Sequence, residues 1–131
     1  MERGTLLERV GGPDTIRRIF SRMYTRAFGD RELLAFFAGV DVDALIEQQV
    51  AFLARAWDHG DLEAEQRSMR VAHAHLSIEQ RHHDRILGYV ELAMADVRIE
   101  PTVAAEVMAY LHGLAPYIVN RPAAFPGESA S

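Results

Sequence analysis

Apolar residues recur at steps of three and four along nearly the whole chain, the spacing of one face of an α-helix, and no alternating run reaches strand length. Leu6, Leu7 and Val10 predict a short first helix that ends at Gly11-Gly12. Pro13 suits the first turn of a second helix, where its missing N–H would have no partner anyway, and Asp14 sits favourably at the positive end of the helix dipole. Ile16, Ile19, Phe20, Met23, Tyr24, Ala27 and Phe28 share one face of that helix, which Gly29-Asp30 closes. Leu33 to Phe37 reads as a short apolar piece closed by Gly39. Asp41 or Asp43 can cap the next helix, whose inner face reads Leu45, Gln49, Phe52, Leu53 and Ala56.

The polar stretch from Asp58 to Arg67, with Gly60 inside it, predicts a loop, and Ser68 to about His75 a short helix. Ser77 with Gln80 three residues on has the form of a capping box. The helix it starts turns His83, Ile86, Leu87, Val90 and Met94 inward. Glu100-Pro101 opens a last helix with Val103, Val107, Leu111, Leu114 and Ile118 inward. The expected fold class is all-α, with one domain over residues 1–120. Two prolines, a glycine and serines predict a loose tail over 121–131.

With 131 residues, 49% of them hydrophobic, the chain can fill a single core without staples. The absence of cysteine excludes disulfides, thiolate metal sites and thiol nucleophiles. A formal charge of −5 disfavours nucleic acid and anionic lipid as partners. All 14 basic residues are arginine, which excludes a lysine Schiff base. No apolar run approaches the roughly 18 residues that span a bilayer, and Met1-Glu2-Arg3-Gly4 lacks an apolar signal core. A cytoplasmic location is expected.

Two polar residues interrupt the apolar faces. Tyr24 lies four residues after Phe20 and four before Phe28, and Gln49 lies in the same way between Leu45 and Leu53. A buried amide left unpaired costs about 1–3 kcal/mol, so something must satisfy it. Either the two residues bond backbone or each other inside an ordinary core, or they face a ligand, and the residues alone leave both open. Five of the six histidines fall within residues 59–83. Their spacing argues against zinc: His73 and His75 are two apart and His82 and His83 adjacent, so neither pair shares a helix face. His73 differs from the rest because Met69 stands one turn before it on the same face.

Several ordered pieces carry a resemblance. They are Gly11-Gly12 before the second helix, Met23-Tyr24 near its end, the pair Phe36-Phe37 and then Gln49. The stretch Met69-Arg70-Val71-Ala72-His73-Ala74-His75-Leu76-Ser77-Ile78 and His82-His83-Asp84 follow. Over about residues 5–120 the sequence resembles the truncated haemoglobins, most closely their first group. The resemblance implies a two-over-two helical sandwich around haem b, with His73 as the iron ligand. A neutral imidazole gives one nitrogen to iron while its other N–H is normally held by a carbonyl. Phe37 would pack against the porphyrin, in a slot lined by Phe36, Leu45, Leu53, Met69, Leu76, Ile78, His83 and Ile86. Gln48 and Arg70, or Arg67, would lie toward the propionates. Tyr24 and Gln49 would stand on the gas-binding side, facing dioxygen, nitric oxide or another diatomic ligand.

The chain departs from the pattern at several places. Leu45 occupies the place of the distal histidine of vertebrate globins, and Gln48 a place often held by a basic residue. The family's second Gly-Gly is reduced to His59-Gly60. His83 replaces a phenylalanine, and Leu53 an aromatic that in some members gates a gas tunnel. Some members link haem through a histidine of the last helix, and His112 lies in that helix without a residue-by-residue match. The resemblance implies reversible gas binding and suggests nitric oxide dioxygenation supported by a reductase. A non-enzymatic oxygen store or gas sensor and a haem-free helical interaction module are the alternatives. A monomer or weak homodimer is expected.

Overall fold

The structure is a computed structural model that describes residues 4–58, Arg67, Arg70, His73 and residues 78–119. Its helices are α1 (Leu6–Val10), α2 (Gly12–Ala27), α3 (Arg31–Leu34), α4 (Val42–Trp57), α5 (Gln80–Asp96), α6 (Pro101–Gly113) and α7 (Ala115–Ile118). A 3-10 turn over Ala35–Phe37 follows α3 directly. Arg67, Arg70 and His73 are helical as well, so helix begins no later than Arg67 on that stretch, which was expected to start at Ser68.

Local chemistry sets the ends. Thr5 and Glu8 form a capping box at α1: the Glu8 N–H donates to Thr5 Oγ1 at 3.2 Å, and the Thr5 N–H to Glu8 Oε1 at 3.0 Å. Gly11, at φ +113°, closes α1 and leads straight into α2. A side chain there would meet Thr15 Oγ1 at 2.5 Å. Of the two candidate caps for α4, Asp41 serves, accepting from the Ala44 N–H at 3.1 Å. The cap of α5 differs from the expected Ser77–Gln80 box. Ser77 lies outside the described residues, and Glu79 is the N-cap, its backbone N–H donating to His82 Nδ1 at 3.0 Å. The predicted single last helix is two, broken at Leu114. Pro116 has no N–H for a continuous helix, and its ring would clash with the carbonyl one turn back.

The helices form the two-over-two sandwich: α2 lies against both α4 and α5, and α6 against α5. Ile16, Met23, Leu33, Val90 and Met94 are the most deeply buried large side chains. The α2 face is buried as read from Ile16 to Ala27, but Phe28, expected inward, is 37% exposed. Phe28 is the C-cap of α2, and its ring packs edge-on to Phe37 with centroids 5.7 Å apart. On α4 the buried stripe runs through Ile46, Val50, Leu53 and Trp57, with Phe52 beside it. Leu45, Gln49 and Ala56, expected as core, are only half-buried. Arg17 ties α2 to α4 through a forked pair with Glu47 at 2.5 and 2.8 Å. Among the described residues no helix is long and apolar enough to cross a membrane.

Gly11→Ala forces a side chain into the left-handed region and against Thr15. It is expected to destabilise the fold by about 1–3 kcal/mol, read as a lower urea midpoint at unchanged slope. A midpoint equal to wild type would show that the α1–α2 junction can rearrange freely.

Candidate functional site

One cavity of about 640 Å³ opens between α2, α4, α5 and the chain's last two helices. That volume is in the range of small-molecule and cofactor sites. Its wall is mostly apolar. Phe20 and Met23 of α2, Phe52 of α4, Leu87 and Val90 of α5, and Leu111 of α6 all reach it. These residues read as ordinary core in the sequence. They are core on one side and cavity wall on the other.

Two polar groups face each other within this wall. The Tyr24 hydroxyl donates to Gln49 Oε1 at 2.9 Å. Tyr24 is buried, and the Phe37 ring packs edge-on to it with centroids 5.2 Å apart. Burial pushes the phenol well above its ordinary range, against the smaller opposing effect of the bond to Gln49. Tyr24 is therefore a neutral donor at any physiological pH. The carbonyl end of Gln49 takes the Tyr24 proton, so the amide end of Gln49 is the one left to donate.

Histidines supply the remaining polar atoms. His73 is half-buried and lines the same cavity. His83 is 5% exposed, and its Nε2 has no hydrogen-bond partner among the described residues. Burial lowers the basicity of His83; Asp84 opposes this, while His112 and His73 add to it. His82 lines the cavity next to it, edge-on to Phe36 with centroids 4.9 Å apart.

Tyr24, Gln49 and His73 thus meet in one cavity with Phe36, Phe37, Leu45, Gln48, Leu53, Ile78, His83 and Ile86. Arg70 is elsewhere: it is exposed, and its guanidinium lies over the Tyr117 ring at 5.2 Å. Met69 and Leu76 lie outside the described residues. Val40, Arg55 and His82 also line the cavity and were missed. Arg55 stands seven residues after Gln48, two helical turns on the same face, and that spacing could have revealed it. His112 meets His83 edge-on at 6.4 Å and is not part of the cavity wall.

The sequence profile of the bacterial-like globins matches residues 5–120. A group 1 truncated haemoglobin of a Nostoc species is 33% identical over 103 residues, spanning 77% of this chain and 86% of that protein. The chain belongs to the truncated haemoglobins.

A second group 1 truncated haemoglobin, from Mycolicibacterium paratuberculosis, is 25% identical over 119 residues, spanning 91% of this chain and 87% of that one. The haemoglobin of Chloroflexus aurantiacus superposes with a TM-score of 0.73 at 26% identity, over 91% of this chain and all of that one. A 2/2 haemoglobin from a Synechococcus species, in the cyanomet state with covalently attached haem, gives 0.78 at 22% identity, over 90% of this chain and 100% of that one. Membership in the truncated haemoglobins implies haem binding and the binding of diatomic gases. The residues of this truncated haemoglobin fit such a group. A broad apolar chamber carries an imidazole and a separate donor pair, and the buried Nε2 of His83, a residue of its wall, has no hydrogen-bond partner among the described residues.

The lowered basicity of His83 fixes a sign for the response to acid. The unfolded chain binds this proton more readily than the folded one. The stability tied to neutral His83 is complete above the ordinary histidine pKa of about 6.5 and is lost as pH falls from there through the lower folded value. His83→Leu should therefore narrow the loss of unfolding midpoint between about pH 7.5 and 5.5. An equal loss in both chains would place the acid response on other groups.

Proposed function

We propose that the cavity holds a b-type haem, that His73 gives a ring nitrogen to its iron, and that Tyr24 and Gln49 hold the bound gas. The single observation that carries this reading is the meeting of His73 with the Tyr24–Gln49 donor pair in one apolar chamber. The lack of cysteine rules out a thioether-linked haem and supports the b type. Ferrous haem supplies reversible binding of dioxygen and nitric oxide and, with both present, a route to nitrate.

The chain's own residues do the rest. Phe36 and Phe37, with Leu45, Leu53, Ile78 and Ile86, pack against the porphyrin and keep water away from it. Met69 and Leu76 join them by resemblance. Gln48 lies toward the propionates. On gas binding the Tyr24 hydroxyl turns from Gln49 Oε1 to the ligand, and with the amide of Gln49 it donates to an acceptor that takes on partial charge. Such bonds are worth about 1.5–3 kcal/mol each. At about 1.4 kcal/mol per factor of ten, one of them alters gas release about tenfold or more.

In this reading the protein is a cytoplasmic oxygen-binding haemoglobin that dioxygenates nitric oxide, with a separate reductase returning the electrons. Mixing the oxygen-loaded protein with nitric oxide should give stoichiometric nitrate and the ferric form within the mixing experiment. Slow or absent conversion would leave an oxygen store or sensor.

Tyr24→Phe should raise the dioxygen off-rate about tenfold or more by stopped flow. An unchanged rate would mean that Tyr24 does not act on the ligand. His73→Ala should weaken haem binding about tenfold or more and shift the Soret band. Wild-type affinity and spectrum in that variant would assign the iron to another residue.

A further inference from the structure

Among the described residues that line the cavity, His83 alone has a buried polar side-chain atom without a hydrogen-bond partner. A buried nitrogen in that state carries a desolvation cost that no hydrogen bond among the described residues offsets. Its neighbours do not take the atom. His82, one residue back, is engaged with the Glu79 backbone and faces Phe36. His112 approaches ring to ring with centroids 6.4 Å apart and makes no bond to Nε2. His73 lies near enough for its charge to be felt at His83. A neutral imidazole in the wall of an apolar chamber, with a ring nitrogen that no hydrogen bond engages among the described residues, has the chemistry of an iron ligand.

We infer that His83 is a second imidazole able to ligate the haem iron, taking it when His73 does not. The inference rests on the haem reading of the cavity. It makes the site tolerant of losing the His73 bond: the iron passes from one ring nitrogen to another and the haem stays in the chain. An iron–imidazole bond that His73→Ala still keeps is made in this way.

The test uses four full-length chains: wild type, His73→Ala, His83→Leu and the double variant. Each is checked for helix content by circular dichroism and then titrated with iron protoporphyrin IX. The readout is the iron–imidazole stretch of the ferrous, gas-free protein in resonance Raman, together with haem affinity. His73→Ala should keep an iron–imidazole band, displaced from that of wild type. The double variant should lose the band and bind haem about tenfold or more weakly than His73→Ala. His83→Leu alone should keep the wild-type band, since His73 is then still present. A His73→Ala chain without the band, or a band that survives in the double variant, overturns the inference. Should His73→Ala not fold, His73→Gln replaces it with the same readout. Wild type that takes up no haem removes the haem reading and this inference with it, whereas uptake by wild type with no band in the His73 variant removes this inference alone.

Discussion

The bond from Tyr24 to Gln49 spans two helices, and the shape of the chamber depends on it. α2 is the shared wall of the molecule, packed on α4 along one side and on α5 along the other. A chamber between such helices collapses unless something keeps their side chains apart, because apolar surfaces gain from closing on each other. The hydroxyl and the carboxamide resist that closure in a specific way. Each is too polar to be buried alone, and each satisfies the other at 2.9 Å. The ring of Phe37 braces Tyr24 edge-on, and Phe28 braces Phe37 in turn, so three aromatic rings fix where the hydroxyl points.

The fold was legible wherever one face of a helix is buried and the other wet. α2 is the clearest case, since its apolar positions from Ile16 to Ala27 are all core. α4 was harder, for a physical reason. It is apolar over more than half its circumference, with Ile46, Val50 and Trp57 turned to the core while Leu45, Gln49 and Phe52 look into the chamber. Both environments reward apolar side chains, so composition alone does not divide them. Pro116 was visible in the sequence, yet the inward spacing of Leu111, Leu114 and Ile118 runs straight across the break and hides it. The exposure of Phe28 follows from the end of the helix, where its ring rests on Tyr24 and Phe37 at the edge of the core.

Much the same holds for the site. Tyr24 and Gln49 announced themselves by breaking an apolar pattern, and their mutual bond was one of the two outcomes that the pattern allowed. His73 stood out through its surrounding sequence rather than through any physical signal of its own. His82 reaches the chamber through the tertiary arrangement, which no local spacing specifies, whereas Arg55 shares a helix face with Gln48. Arg70 shows the limit of position-by-position transfer: its charge is used against the Tyr117 ring, an aromatic partner 47 positions further along the chain.

The break at Leu114 separates two properties that usually travel together. The bundle of α2, α4, α5 and α6 has its core without α7. The chamber does not, because Ile118 closes part of its floor and the short helix that carries it is turned by Pro116 to rest on α5 and α6. The shortest fragment that could fold as a bundle is therefore shorter than the shortest one that could line the whole chamber. A chain ending at Leu114 would keep the buried core and look native to a probe of helix content, while its chamber stood open where Ile118 had been.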